Sequence, residues 1–105
     1  MKEIKAFIHR NRISDVVHEL KQAEYKYISV IDVLGLLKAL SSQEQQYSVD
    51  LGTKVVSEIK LEVVCNDHQL DDAIDIIRRQ GRTGQETAGW IYVTDIEQAV
   101  RVDGA

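Results

Sequence analysis

Proline is absent from the 105 residues, and cysteine, methionine, phenylalanine and tryptophan occur once each. Without proline there is no sequence-imposed kink or rigid spacer, and no linker-like or low-complexity tract interrupts the chain. One domain is therefore expected, at a length that supports its own core. A single thiol, Cys65, cannot form an internal disulfide, which points to the cytoplasm. Cations are in deficit: 13 Lys and Arg stand against 17 Asp and Glu, a net charge of −4. That balance argues against non-specific binding to nucleic acid or to an anionic membrane, both of which need a basic surface. No apolar run approaches the ~18 residues of a membrane span. The opening "MKEIKAFIHR" alternates, where a signal peptide would carry ~7–15 apolar residues in succession. Also missing are a Walker loop, a nucleophile beside a base at a known spacing, and paired carboxylates in an apolar setting. No enzyme is expected.

What is present is a repeated pattern. Ile4, Ala6 and Ile8 alternate with Lys5, Phe7 and His9, the period of a strand. Ser14 is a suitable N-cap for a helix with Val16, Val17, Leu20 and Ala23 on one face. Tyr27 to Leu34, "YISVIDVL", is rich in β-branched residues and reads as a second strand. "EIKLEVVC", from Glu58 to Cys65, reads as a third. Asp67 can cap a second helix, in which Leu70, Ala73, Ile74 and Ile77 recur at helical spacing. "WIYVTD" gives a fourth strand, and "IEQAVRVD" a helical turn with a final edge strand. The two halves echo each other, since "IKAFIHRNRISDVVHEL" and "IKLEVVCNDHQLDDAIDII" both run strand, polar loop, helix. Two such units make a β-α-β-β-α-β, ferredoxin-like α+β sandwich. Two helices cover one face of its sheet, leaving Phe7, Val64 and Tyr92 on the other. That uncovered apolar face points to packing against further copies of the chain.

Two loops invite a functional reading. "GRTGQETAGW", residues 81–90, offers glycines whose backbone N–H groups could wrap a phosphate, or that merely turn the chain. The segment at about 36–57, apolar at its start and polar in "SSQEQQYS", is longer than ordered domains usually carry without a task. It suits a stretch that orders on meeting a partner. His9 at the end of the first strand and His68 before the second helix could approach each other, but their spacing matches no metal motif. Cys65 reads as a small core residue. Asp71, Asp72 and Asp75 read as a solvated first turn that complements the helix dipole.

On "MKEIKAFI", "ISDVVHEL", "ISVIDVLG", "EIKLEVV" and "TGQETAGWIYVTDIEQAVRV", the chain resembles the PII signal-transduction family over essentially its whole length, without a gap. The resemblance implies a homotrimer with ligand clefts between subunits. It also implies sensing of adenine nucleotides and 2-oxoglutarate, and docking on transporters or enzymes through the long loop. Carried over residue by residue, the cleft lining would be Ser29, Gly35, Thr83, Gly84, Gly89, Trp90 and Arg101. The docking loop would include Leu37, Lys38, Tyr47 and Leu51, the last standing where some members carry a modified tyrosine. The match thins at the charges. The family's "GFGRQ" becomes Gly35, Leu36, Leu37, Lys38 and Ala39, and its third-strand lysine becomes Glu58. In the loop "TGKIGDGKIFV" one glycine becomes Thr87 and the last lysine becomes Trp90. Arg101 matches one of two bridging arginines, and Asp103 replaces the other.

Where the family presents two lysines and two arginines, only Arg101 remains, facing two carboxylates. Each charge-assisted contact is worth ~1.5–3 kcal/mol, so ATP affinity should fall by a few powers of ten. Weakened or lost ATP and 2-oxoglutarate sensing is the expectation. A less charged effector such as AMP, ADP or a cyclic dinucleotide could stack on Trp90, a contact worth ~1–3 kcal/mol in nucleic-acid systems. The alternatives are a nitrogen regulator that still binds adenine nucleotide, and a ferredoxin-like trimer that binds a divalent metal.

Overall fold

The computed structural model describes residues 1–32, 58–84 and 89–104. Strand β1 spans Lys2–His9, helix α1 Ile13–Gln22, β2 Tyr27–Asp32, β3 Glu58–Cys65, α2 Leu70–Gly81 and β4 Gly89–Asp95. A 3-10 turn, Asp67–Gln69, leads into α2. The sheet runs β2-β3-β1-β4, and each neighbouring pair is antiparallel. In this order each β-α-β unit leaves room for a strand of the other half between its own two, the interleaving expected from the sequence echo.

Register assigns the faces. Ile4 stands opposite Val63 and Val93, and Ala6 opposite Leu61 and Ile91. Ile4, Ala6, Ile8, Leu61 and Val63 meet Val16 and Leu20 of α1 and Ala73, Ile76 and Ile77 of α2 in one buried cluster, with Ile91 packed against it. Removing such side chains from water stabilises the fold by ~1.5–3 kcal/mol each. Cys65 belongs to this cluster, and burial pushes its thiol pKa up, as fits a packing residue.

Several local expectations are corrected. Helix α1 begins at Ile13 with Arg12 at the N-cap, and Ser14 lies inside it. Arg12 works from its side chain: Nε donates to the Gln80 carbonyl at 2.8 Å, and the guanidinium pairs with Asp15 at 2.9 Å. One contact ties the start of α1 to the end of α2, and the other holds the first turn of α1. Asp67 is not the cap of the second helix. Its carboxylate takes the Met1 ammonium at 2.7 Å, while the Asn66 N–H donates to the Gln69 side chain at 3.0 Å. Asn66 offers the capping geometry one residue earlier, leaving Asp67 to turn outward. Residues 96–104 form neither a helical turn nor an edge strand. Val100 and Val102 lie exposed there, with no strand among the described residues paired to them. His9 and His68 fall at opposite ends of the sheet, because His9 pairs with Glu58 while His68 follows Cys65, the partner of Lys2. His9 bonds to Asn11 through Nδ1 at 2.8 Å.

Tyr25 is a core residue that the patterning missed. Its ring is buried, and its hydroxyl donates toward the Gln69 carbonyl at 2.9 Å and the Asp72 carboxylate at 2.8 Å. Burial, followed by the Asp72 contact, raises its pKa. Glu24, at φ 69°, supplies the turn that delivers Tyr25 there.

Candidate functional site

The uncovered face of the sheet is ordered by register. One row reads Ile31, Lys60, Phe7, Trp90, and the next reads Ser29, Glu62, Lys5, Tyr92. Trp90 is 64% exposed, Tyr92 52% and Tyr27 71%, with Ile31 also open. Phe7 meets Tyr92 edge to face with ring centroids 6.1 Å apart. The cations between these rings are held by acids on their own strands, Lys60 by Glu62 at 3.0 Å and Lys5 by Glu3 at 3.4 Å. The face is therefore aromatic in its relief and close to neutral in charge, a composition suited to burial against protein.

Between the end of α2 and the start of β4 lies a pocket of about 260 Å³. Its walls are Phe7 and Ile8 of β1, Ile77, Arg78 and Gly81 of α2, Arg82, and Gly89, Trp90 and Ile91 of β4. Gly89 has φ 141°, and a Cβ there would lie 2.0 Å from the Phe7 carbonyl oxygen. Only glycine lets β4 begin this close to β1, so the mouth of the pocket is set by the backbone. Gly84 takes φ 84°, the turn-forming role expected of it.

The arginines of the described residues differ in how they are satisfied. Arg79 is held by Glu19 at 2.7 Å and by Asp75 at 3.0 Å, and these carboxylates raise its pKa. Arg10 forms a two-pronged pair with Asp32, both contacts at 2.8 Å. Arg78 and Arg82 line the pocket and take part in none of the ion pairs among the described residues. Motif matching overlooked both arginines, since it weighed only positions where the family motif carries a charge. Their spacing, four apart at a helix end beside the glycine-rich stretch, was the available signal. Arg78 and Arg82 are thus two cations near this loop besides the Arg101 that the motif picks out.

Of the residues expected to line a cleft, Gly89 and Trp90 wall the pocket, and Thr83 and Gly84 follow Arg82. Ser29 lies exposed on β2, at the far edge of the sheet. Three strand spacings, ~14 Å, separate it from β4. Arg101 is exposed in the tail, outside the pocket wall. Within one chain Ser29 and Arg101 thus stand apart from the group around Trp90. Gly35, Leu37, Lys38, Tyr47 and Leu51 lie outside the described residues. No three His, Cys, Asp or Glu side chains gather into a metal-binding group among the described residues. No described helix is long and apolar enough to cross a membrane.

A sheet with two helices on one side, an aromatic opposite face and a glycine-bounded pocket at its edge define a ferredoxin-like α+β protein. Comparison with known proteins carries this to the family. The profile described as nitrogen regulatory protein P-II matches residues 1–104. Nitrogen regulatory protein P-II of Rhodobacter capsulatus is 30% identical over 102 residues, 97% of this chain and 91% of the relative. The Bradyrhizobium diazoefficiens protein of the same name is 29% identical, with 97% and 91% covered. Nitrogen regulatory protein P-II 1 of Methanothermobacter thermautotrophicus is 28% identical, with 97% and 89% covered. The chain belongs to the P-II family, whose members are regulatory signal transducers.

Proposed function

We propose that this chain is a PII-like regulator that works as a homotrimer in the cytoplasm, by protein–protein contact, in a nitrogen-linked or related pathway. In this reading its ATP and 2-oxoglutarate sensing is weakened or lost, and a less charged effector such as AMP, ADP or a cyclic dinucleotide occupies the inter-subunit cleft. The observation that carries the proposal is the set of exposed rings on the helix-free face, Tyr27, Trp90 and Tyr92. Three copies closing over that face would bury it and bring the Ser29 group of one subunit toward the Trp90 group of the next. The long segment at about 36–57, with Leu37, Lys38, Tyr47 and Leu51, would meet the target, an enzyme or a membrane transporter.

Calorimetry against magnesium–ATP tests the loss of sensing. The proposal expects affinity weaker than millimolar, whereas micromolar binding would contradict it. Deleting Ser42 to Gly52 should leave the trimer intact and abolish capture of the target. Retained capture would assign docking elsewhere. A second reading, a nitrogen regulator that still holds adenine nucleotide, draws support from Arg78 and Arg82, two cations that the motif comparison omitted. The same titration separates the two readings.

A further inference from the structure

Between β1 and α1 the chain turns from His9 to Arg12, and the Arg12 N–H closes the turn on the His9 carbonyl at 2.9 Å. The two arginines of this turn leave it in different directions. Arg10 reaches past β3, which lies between β1 and β2 in the sheet, and grips Asp32 through two guanidinium nitrogens, each at 2.8 Å. Arg12 turns to the second helix and donates from Nε to the Gln80 carbonyl at 2.8 Å. Each partner is the root of a loop. Asp32 ends β2, ahead of the segment at about 36–57. Gln80 lies in the last turn of α2, ahead of the glycine-rich stretch 81–90.

The two sides of the turn differ in strength. Carbonyls in the last turn of a helix lack a partner within it, and a cation there complements the dipole. The end of α2 has a second hold on α1, because the Gln80 side chain donates to Glu19 and Glu19 also takes Arg79 at 2.7 Å. A displacement of that end is therefore carried into α1 and the turn before it. On the other side, a two-pronged fork holds only while both of its bonds stay aligned. Arg10 is half-buried and Asp32 exposed, so water can replace the contact, and such ion pairs are worth little net. One side is tied and the other is ready to open.

We propose that the turn from His9 to Arg12 couples the two loops, the Arg10–Asp32 fork opening or closing as the last turn of α2 shifts. This rests on the reading that an effector acts at the glycine-rich stretch and a target at the long segment, and it names the link that regulates one by the other. Coupling of this kind is reciprocal.

The isotope-labelled full-length chain is followed by its backbone amide resonances. Arg10→Gln defines the open-fork positions of Ile31 and Asp32. Arg12→Gln should move these two resonances along the same line by at least about a third of that displacement, as a shift between two states requires. Arg10→Gln should in turn move the resonances of Gln80 and Gly81. Arg12→Lys, which can still donate to a carbonyl, should move Ile31 and Asp32 less than Arg12→Gln does. Lys26→Gln, before β2 at the opposite end of the sheet, should leave all four in place. Circular dichroism checks that each variant is folded, and the reading of Gln80 in Arg10→Gln carries the test even where Arg12→Gln unfolds.

The inference is overturned if Arg12→Gln leaves Ile31 and Asp32 at their wild-type positions or moves them off that line. It is equally overturned if Arg10→Gln leaves Gln80 and Gly81 unmoved, or if Lys26→Gln displaces them as far, since the effect would then be a general loosening. The spectra need neither effector nor target. Unmoved resonances in a trimer that captures its target through the long segment would refute the link and leave the regulatory reading standing. Moved resonances in a chain that captures its target without that segment would do the reverse.

Discussion

The two faces of the sheet differ in how much of their packing a single chain completes. On the helix side, Ile4, Leu61 and Val63 have no exposed surface at all, and every strand side chain in the cluster meets α1, α2 or a neighbouring strand. On the other side, Trp90 and Tyr92 stay more than half exposed, although β4, which bears both, pairs with β1 along its length. Both faces are made by the same alternating residues of β1 and β3, so propensity does not separate them. What separates them is where the connections run. Both crossover helices pass on one side, so one face of the sheet is finished within the chain and the other awaits something from outside.

The largest way to sharpen this contrast lies on the closed face. Leu61→Ala should destabilise the fold by ~2–5 kcal/mol, read as a lowered urea midpoint. The open-face change Phe7→Ser should leave folding nearly intact while weakening self-association tenfold or more by sedimentation. Comparable loss of monomer stability from both would break the contrast.

Gly89→Ala comes next. The Cβ would collide with the Phe7 carbonyl oxygen at 2.0 Å, so β4 must shift, at ~1–3 kcal/mol. The shift should appear as faster amide exchange from Gly89 to Ile91, with β2 unaffected. Tyr25→Phe removes the hydroxyl that joins the α1–β2 turn to α2 and should lower stability by ~1 kcal/mol. An unchanged melting curve would show that the ring alone matters there.

The smallest effect is one of pH. The Met1 ammonium, hydrogen-bonded to Asp67, holds that carboxyl below its ordinary value of 3.8. A group whose pKa is lowered by folding contributes stability above the unfolded value, near pH 4, and loses it as pH falls through the lower folded value. Asp67→Asn should therefore reduce stability slightly at pH 7 and flatten its fall below pH 4. A steeper fall in the variant would contradict the pairing.

Periodicity made the elements and their order legible. Alternation in "IKAFIH" and "EIKLEVVC" and the helical spacing of Leu70, Ala73, Ile74 and Ile77 correspond to β1, β3 and α2. The helix starts were not legible, because Ser14 and Asp67 have the chemistry of caps while Arg12 precedes α1, Asn66 caps the 3-10 turn and Gln69 precedes α2. Capping depends on where the backbone turns, which a side-chain preference alone does not fix. The tail misled for a related reason: the apolar residues of "IEQAVRVD" suit an edge strand, yet a strand needs a partner, and pattern does not say who supplies it. The same limit hid Arg78 and Arg82. A cation's worth at a site depends on whether a carboxylate already holds it, and Arg79, next in sequence to Arg78, shows how completely that varies along one helix.

Sedimentation equilibrium of the purified chain at micromolar concentration tests the account most directly, because it asks whether the aromatic face is covered in solution. The expected result is a single species of three times the 11.9 kDa chain mass. A species of one chain mass, with Trp90 still open to solvent, would contradict it.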